Sequence, residues 1–229
     1  MAEHFFAPCP RGLEAALLAE LSRLGALEPA ATEGGVAFQG PLELAYRANL
    51  ESRLASRILW RVGGGPYRDE HTLYDLVKAI DWKQHFTPAR TLRVDVAATR
   101  SPLQSLEFAT LRVKDAVCDR FRADVNVRPS VDKRLPDVRV SAYLTENEAT
   151  LYLDTSGEPL FKRGYRRETE DAPLRENLAA GLIALTGWTP EMPLLDWMCG
   201  SGVSGVQPVS ASRPAARFSR SGASSVSRR

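Results

Sequence analysis

The fold class follows most directly from VRVSAYLTENEATLYLD, residues 138–154. Apolar residues alternate with other side chains from Val138 to Leu144 and again from Ala149 to Asp154, which is the pattern of half-buried strands. Thr145–Glu148 separate the two runs and contain turn-forming residues, so the stretch predicts a β-hairpin. One face of this hairpin is apolar and needs packing partners elsewhere in the chain.

Residues upstream of the hairpin supply those partners. Apolar residues at helical spacing predict helices around Leu73–Ile80 and over Phe108–Ala123, with Leu111 on the buried face of the second helix. Alternation over Leu92–Val96 predicts a further half-buried strand. Helices and strands mixed in this order predict an α+β domain.

The first 65 residues predict a second, smaller α+β unit. Leucines recur at helical spacing between residues 11 and 24, and Pro41 begins another helical stretch. Strands are predicted at Val36–Gln39 and Arg57–Val62. The run Gly63-Gly64-Gly65-Pro66 predicts a break between the two units, because glycine and proline commonly end regular structure.

Composition excludes several classes of protein. With 229 residues, 44% hydrophobic and 25% charged, the chain has ordinary globular values and room for one or two domains. No apolar run is long enough for a membrane helix, and no secretory signal is visible at the start. Cys9, Cys118 and Cys199 are scattered, which argues against a disulfide framework or a metal site and suits the cytoplasm.

Charge is distributed unevenly along the chain. Residues 203–229 contain five arginines, eight serines and no acidic residue, a composition that predicts a disordered tail. Because the whole chain has a net charge of +2, residues 1–202 carry −3. Nucleic-acid binding would therefore need a local basic patch rather than a basic protein.

A third region begins after the hairpin. Leu174, Leu178, Leu182 and Leu185 predict the buried stripe of a helix over Pro173–Leu185. Met192–Leu195 then predicts a short strand that runs into DWMCGSG, residues 196–202. A strand followed by an acid and a Gly-x-Gly turn is typical of a nucleotide-type site, and a plain surface turn is the alternative. No lysine follows to make a P-loop.

The DWMCGSG stretch resembles the first S-adenosylmethionine motif of RNA guanine-N2 methyltransferases, which typically reads D-P-M-C-G-S-G. Trp197 stands where the family has proline, and the other six positions agree. The resemblance implies a partly present S-adenosylmethionine site. Its residues in this chain are Asp196, Met198, Cys199, Gly200, Ser201 and Gly202.

Four further stretches resemble the same family in the same order. They are RGLE at 11–14, RPSVD with PDVRV at 128–140, SGEPLFKRGYR at 156–166 and APLRENLAA at 172–180. The resemblance, which is to bacterial enzymes acting on 23S rRNA, implies five regions. They are a ferredoxin-like unit (1–65), an RNA-binding THUMP domain (66–158), a basic linker and helix (159–189), the start of a Rossmann-like methyltransferase domain (190–202) and the disordered tail (203–229).

The sequence departs from the family after Gly202. The family's catalytic Asn-Pro-Pro motif is missing, since no Asn-Pro occurs anywhere in the 229 residues. We therefore assign no catalytic residue and expect no methyl transfer by this chain alone. An abrupt change of composition at Val203 suggests a truncated or frameshifted reading frame, and a genuine variant with its own tail is the alternative.

RNA binding is expected from two basic segments, because arginine and lysine bind phosphates without reading sequence. The candidate residues are Arg112, Arg128, Lys133, Arg134, Arg139, Lys162, Arg163, Arg166 and Arg167. Five aspartates lie among the cations of residues 112–139, so a solvated face of mixed charge is the competing interpretation. The resemblance favours RNA, namely 23S rRNA or its precursor. A stand-alone RNA-binding module and a fragment of a tRNA guanine methyltransferase are the alternatives.

Overall fold

A computed structural model describes residues 2–163, 174–189 and 191–195. Its strands are β1 (Glu3–Pro8), β2 (Leu27–Thr32), β3 (Gly35–Gly40), β4 (Leu59–Pro66), β5 (Leu92–Ala98), β6 (Val138–Leu144) and β7 (Glu148–Asp154). Its α-helices are α1 (Glu14–Arg23), α2 (Leu42–Glu51), α3 (Glu70–Ala79), α4 (Leu106–Val125) and α5 (Glu176–Leu185). These elements confirm the predicted α+β class. The predicted disordered tail lies outside the described residues.

All seven strands form one sheet in the order β2-β3-β1-β4-β7-β6-β5. Strands β5 and β6 pair in parallel, because helix α4 crosses between them, and the other neighbours pair antiparallel. The predicted hairpin is confirmed as β6 and β7, with Leu144 opposite Ala149. The sheet thus runs without interruption through both predicted units.

The prediction that regular structure breaks at Gly63–Pro66 is wrong. These residues form the second half of β4 and pair with Ala149 and its neighbours on β7, after a bulge between Arg61 and Gly63. Glycine fits positions 63 and 64 because neighbouring atoms lie too close for a side chain, and not because the chain turns there. A Cβ atom on Gly63 would lie 2.6 Å from Ile80 Cδ1, and one on Gly64 would lie 2.7 Å from the Ala149 carbonyl oxygen.

Four helices cover the same face of the sheet. Cross-strand register puts Phe5, Trp60, Leu153, Val140 and Val94 in one row, so their side chains project to one side. Phe5 belongs to the core under α1 and α2, and the last three belong to the core under α3 and α4. Trp60 packs against both cores and joins them.

Local signals explain where the helices of the larger unit begin and end. Asp69 caps α3 by accepting hydrogen bonds from the backbone N–H groups of His71 and Thr72, as in a capping box. The Ser105 hydroxyl caps α4 by accepting from Phe108, and Asn126 ends it in the left-handed conformation. Leu111, predicted to be buried, is 47% exposed, because α4 turns Val113 and Val117 toward the core instead.

Helix α5 buries a different face from the one predicted. Leu182 and Leu185 are 49% and 60% exposed, whereas Ala180 and Gly181 are buried against the first unit. The reason is close contact, since a Cβ atom on Gly181 would collide with the Leu13 side chain. Of the predicted leucine stripe, Leu178 packs partly buried against the core of the first unit, and Leu182 and Leu185 stay exposed among the described residues.

The remaining predictions for the third region differ from the structure in two respects. Helix α5 begins at Glu176, and Leu174 precedes it as non-helical chain; Pro173 lies outside the described residues. Met192–Leu195 forms no strand, and Leu195 is 66% exposed. Across the part of the chain that the structure describes, no helix combines the length and apolar character needed to cross a membrane.

Candidate nucleic-acid interface

The predicted RNA-binding residues do not form one patch. Arg112 lies on α4, Arg128 lies just beyond the end of α4, and Arg139 lies on β6. The loop before β6 contains Lys133 and Arg134. Lys162 and Arg163 follow β7, whereas Arg166 and Arg167 lie outside the described residues. The contacts of each cation separate those that hold the fold from those that are available to a ligand.

Arg112 stabilises the packing of α3 on α4. Its guanidinium carbon lies 4.3 Å from the centroid of the Tyr74 ring, a cation–π contact between the two helices. The Tyr74 hydroxyl in turn donates a hydrogen bond of 2.9 Å to Asp119 on α4. Arg112 therefore has a structural partner, the Tyr74 ring on α3.

Arg128 closes the end of α4. It donates a hydrogen bond of 3.2 Å to the Asp115 carboxylate and lies beside the thiol of Cys118. Burial raises the pKa of the Cys118 thiol, so the thiol stays neutral beside the guanidinium. Asp115 thus partly neutralises the charge of Arg128, whose side chain is 44% exposed.

Arg163 caps the end of α2. Its guanidinium donates hydrogen bonds of 2.9, 2.8 and 2.7 Å to the carbonyl oxygens of Asn49, Leu50 and Ser52. A helix leaves its last carbonyls without partners, and a cation there also meets the negative end of the helix dipole. The structure gives Arg163 a structural role, which its charge alone did not reveal.

Arg139 and Lys162 share one acidic partner. Both lie near the Glu158 carboxylate, at 3.8 and 3.6 Å. The Arg139 side chain is only 17% exposed and also lies near the buried Asp154, which pairs with Arg57. Burial raises the pKa of Asp154, and the Ser156 N–H and Arg57 partly offset that effect. Arg139 is therefore a largely buried cation with acidic neighbours, and Lys162 is the more accessible of the two.

Lys133 and Arg134 are the cations best placed for a ligand. Both are exposed, and neither charged group contacts an acidic side chain among the described residues. The Asp132 carboxylate holds the loop by accepting from the backbone N–H groups of Arg134 at 2.8 Å and Leu135 at 3.2 Å. Leu135 at the tip is 84% exposed. The loop thus presents two free cations on a fixed turn.

The base of this loop adjoins the face of the sheet that carries no helix. Arg93 on β5 donates a hydrogen bond of 3.0 Å to the Lys133 carbonyl oxygen and binds Asp95 with two further N–H groups. Next to it, Asp137 accepts from Thr91, and these backbone and hydroxyl hydrogen bonds lower the pKa of Asp137. Loop and sheet face therefore form one continuous surface.

Reasoning from charge density did not identify Arg93 as a residue of this surface. The signal was present in the sequence, because alternation in β5 buries Leu92 and Val94 and so turns Arg93 to the opposite face. The same reasoning applies to Arg61, which pairs opposite Tyr152 on β7. Neither residue lies in a basic run.

The predicted cofactor residues cannot be compared with the structure, since Asp196–Gly202 lies outside the described residues. Within those that are described, no group of histidine, cysteine, aspartate or glutamate side chains could hold a metal ion.

Comparison with protein families finds three matches along the chain. Residues 4–59 match the RlmL ferredoxin-like domain, and residues 67–154 match the THUMP domain. Residues 163–206 match the RMKL-like methyltransferase domain. These three matches agree with the order of regions that the sequence motifs implied.

Curated relatives extend the similarity over most of the chain. A ribosomal RNA large subunit methyltransferase K/L from Syntrophotalea carbinolica is 48% identical over 203 residues, covering 86% of this chain. The protein of the same name from Aeromonas hydrophila subsp. hydrophila is 44% identical over 200 residues, covering 87%. The chain spans about 28% of the length of these two relatives.

Solved structures share the fold. A predicted N6-adenine-specific DNA methylase from Listeria monocytogenes has a TM-score of 0.79 and 31% identity, covering 89% of this chain and 53% of that one. SMU.472, a putative methyltransferase complexed with SAH, gives the same TM-score and identity, covering 89% and 54%. The relatives and the structures both continue well beyond the segment matched here.

Proposed function

We propose that this chain, which carries an RlmL ferredoxin-like domain, a THUMP domain and the first part of an RMKL-like methyltransferase domain, is the RNA-binding part of an rRNA methyltransferase. The whole enzyme would transfer a methyl group to a guanine N2 in 23S rRNA. The observation that carries the proposal is the 48% identity, over 203 residues, to a large-subunit rRNA methyltransferase.

The described residues contribute binding and positioning. Lys133 and Arg134 would contact phosphates, because their charges are exposed and have no acidic partner in the described part of the chain. Their loop is fixed by Asp132 and by Arg93, so little conformational entropy is lost on binding. The continuous sheet holds this loop in a constant position relative to the first unit.

S-adenosylmethionine is the proposed methyl donor of the whole enzyme. The methyltransferase match and the SAH complex of a structural neighbour support this choice. The residues proposed to hold it are Asp196, Met198, Cys199, Gly200, Ser201 and Gly202. The cofactor would supply an activated methyl group, and the described residues would orient the RNA.

We expect no methyl transfer by the 229-residue chain alone, because it contains no Asn-Pro motif to position a flipped guanine. The measurement is incorporation of labelled methyl groups into deproteinised ribosomal subunits. Incorporation above the level of a heat-denatured sample would contradict this expectation. It would show that the chain is itself an active methyltransferase.

The RNA-binding proposal is tested by equilibrium binding of the full chain to 23S rRNA fragments over a range of salt concentrations. In the double variant Lys133→Glu/Arg134→Glu, two phosphate contacts are replaced by repulsion. We expect the affinity for RNA to fall. The slope of log K against log salt concentration should become shallower by the equivalent of about one to two phosphate contacts. The matched control is Arg23→Glu/Arg47→Glu, which makes the same charge change on α1 and α2.

Two outcomes would overturn the proposal. Equal losses in the test and control variants would show that only net charge matters, and absence of binding at low salt would exclude an RNA-binding role. Competition with tRNA separates the alternative substrate. We expect unlabelled tRNA to compete more weakly than 23S rRNA fragments, and stronger competition would favour a tRNA enzyme.

A further inference from the structure

The face of the sheet opposite α1–α4 carries aromatic and cationic side chains. Register places Arg61 opposite Tyr152 and Tyr143 opposite Thr150. All of these project away from the core, because Leu151 and Leu144, their neighbours along the strands, are buried beneath the helices. Within the described residues, no helix packs on this face.

Tyr143 is held in place with its ring accessible. Its hydroxyl donates a hydrogen bond of 2.9 Å to Thr99 Oγ1, and 42% of the residue is exposed. Its cross-strand neighbours, Thr150 on β7 and Ala97 on β5, are small. No large side chain therefore stands beside the ring, and a planar group could stack on it.

Tyr152 continues the aromatic surface toward the first unit. It lies diagonally across from Tyr143, two residues beyond Thr150 on the same face. On its other side, the centroids of the Tyr152 and Phe6 rings are 6.2 Å apart at an angle of 40°. Three rings from β1, β7 and β6 thus cross the middle of the sheet.

The charge around these rings is favourable to phosphate. Arg61 is exposed and contacts no acidic side chain among the residues that the structure describes. Arg93 lies at the far side of the face, where its charge is paired with that of Asp95, and it joins the face to the loop of Lys133. Arg61 at one end of the aromatic row and Lys133 and Arg134 in the adjoining loop are therefore the cations available to phosphate.

We propose that this helix-free face is a platform for an unpaired segment of RNA, with bases stacked on Tyr143 and Tyr152 and phosphates bound by Arg61 and by the adjoining loop of Lys133 and Arg134. The inference rests on the proposed RNA-binding function and adds the form of the substrate. Sheet faces with exposed aromatic rings bind unpaired bases, whereas paired RNA keeps its bases stacked inside the helix.

The polar character of the face favours RNA over a protein partner. Ser141 and Thr150 lie among the rings, and Asp95 beside them is neutralised by Arg93, so the face lacks the continuous apolar area of a typical protein interface core. Hydroxyls and guanidinium groups beside aromatic rings instead match the mixed surface of nucleotides. The bases of an RNA segment can stack on the rings while its phosphates and hydroxyls bind the polar groups.

The test compares binding of the full chain to a labelled unpaired ten-nucleotide RNA and to a duplex of the same length, at several salt concentrations. In Tyr143→Leu/Tyr152→Leu, we expect affinity for unpaired RNA to fall about tenfold or more. Affinity for the duplex should change less than twofold, and the salt dependence should stay constant because no charge is lost.

Two variants control for structure and for general aromatic loss. Tyr143→Phe/Tyr152→Phe keeps both rings and should bind within twofold of the unaltered chain. Tyr46→Leu removes a ring that is 64% exposed on α2, on the helix-covered side, and should also bind normally. Circular dichroism during thermal unfolding shows whether each variant is folded at the binding temperature.

The outcomes separate this inference from the function on which it rests. If the leucine variant binds unpaired RNA normally while Lys133→Glu/Arg134→Glu still weakens binding, the platform is refuted and the RNA-binding function stands. An equal loss for duplex and unpaired RNA also refutes the platform. If the unaltered chain binds neither RNA, both proposals fail.

Discussion

The two faces of the sheet differ in what covers them. One face lies under α1–α4 and contributes fully buried side chains such as Leu151 and Leu144. The other has no helix among the described residues and carries Tyr143, Tyr152 and Arg61. Alternate residues of the same strands thus meet opposite environments, and a shift of one residue in register would exchange them.

This contrast assigns different tasks to neighbouring residues. Burial of apolar area is the main favourable term in folding, so the helix-covered face supplies most of the stability. Side chains on the helix-free face are exposed or half-buried and are free to bind a ligand. Stability and RNA affinity should therefore respond to different substitutions, often at adjacent positions in the sequence.

The largest expected effect is in the core between the helices and the covered face. Phe121→Ala removes a ring of α4 that is 1% exposed and packs in this core, and it should lower the free energy of unfolding by about 3–5 kcal/mol. Tyr143→Ala on the other face should lower it by less than about 1 kcal/mol. Denaturant unfolding measures both. Equal losses would show that the helix-free face is covered in solution.

A smaller effect is expected where strand β4 crosses between the two units. A Cβ atom on Gly64 would lie 2.7 Å from the Ala149 carbonyl oxygen, which belongs to the backbone and cannot move freely. Gly64→Ala should therefore destabilise the protein by about 1–3 kcal/mol in thermal unfolding. Gly65→Ala is the control, since its Cβ would meet only the end of the Leu76 side chain, at 3.1 Å. A loss at position 65 equal to that at 64 would contradict the close-approach explanation.

The smallest effect concerns Arg163, which charge alone marked as an RNA ligand. Arg163→Ala should cost about 1–2 kcal/mol of stability, because three carbonyl oxygens at the end of α2 lose their donor. The salt dependence of RNA binding should not change. Lys162→Ala, at a side chain that is 61% exposed, should leave stability within about 0.5 kcal/mol. A shallower salt dependence for Arg163→Ala would show that the guanidinium leaves α2 to bind RNA.

Strand alternation predicted the sheet of the larger unit well. The hairpin and β5 are where the pattern put them, because one face of each strand is buried and the other is not. The glycine run of β4 was misread, since close approach by Ile80 and Ala149 demands the same residue as a turn does. A single sequence does not distinguish these two reasons for glycine.

Charge density alone did not distinguish cations that hold the fold together from cations that are exposed. Arg112 and Arg128 lie in a basic segment, yet Tyr74 and Asp115 engage them, and those partners are distant in sequence or hidden among other acids. Lys133 and Arg134 are exposed in the structure, and their contact with RNA stays a prediction. The predicted burial of Leu182 and Leu185 on α5 is wrong for a related reason. The helix packs its small residues, such as Gly181, against Leu13 instead.

Ultraviolet crosslinking of the full chain to 23S rRNA fragments, followed by mass spectrometry of the crosslinked peptides, tests most directly whether RNA binds the helix-free face. Tyr143 and Tyr46 are both exposed, at 42% and 64%, and lie on opposite sides of the sheet, so each chain carries its own control. We predict crosslinks in the peptides that contain Tyr143, Tyr152 and Lys133. Crosslinks concentrated at Tyr46 and on the outer faces of α1–α4, with none on the helix-free face, would contradict the account.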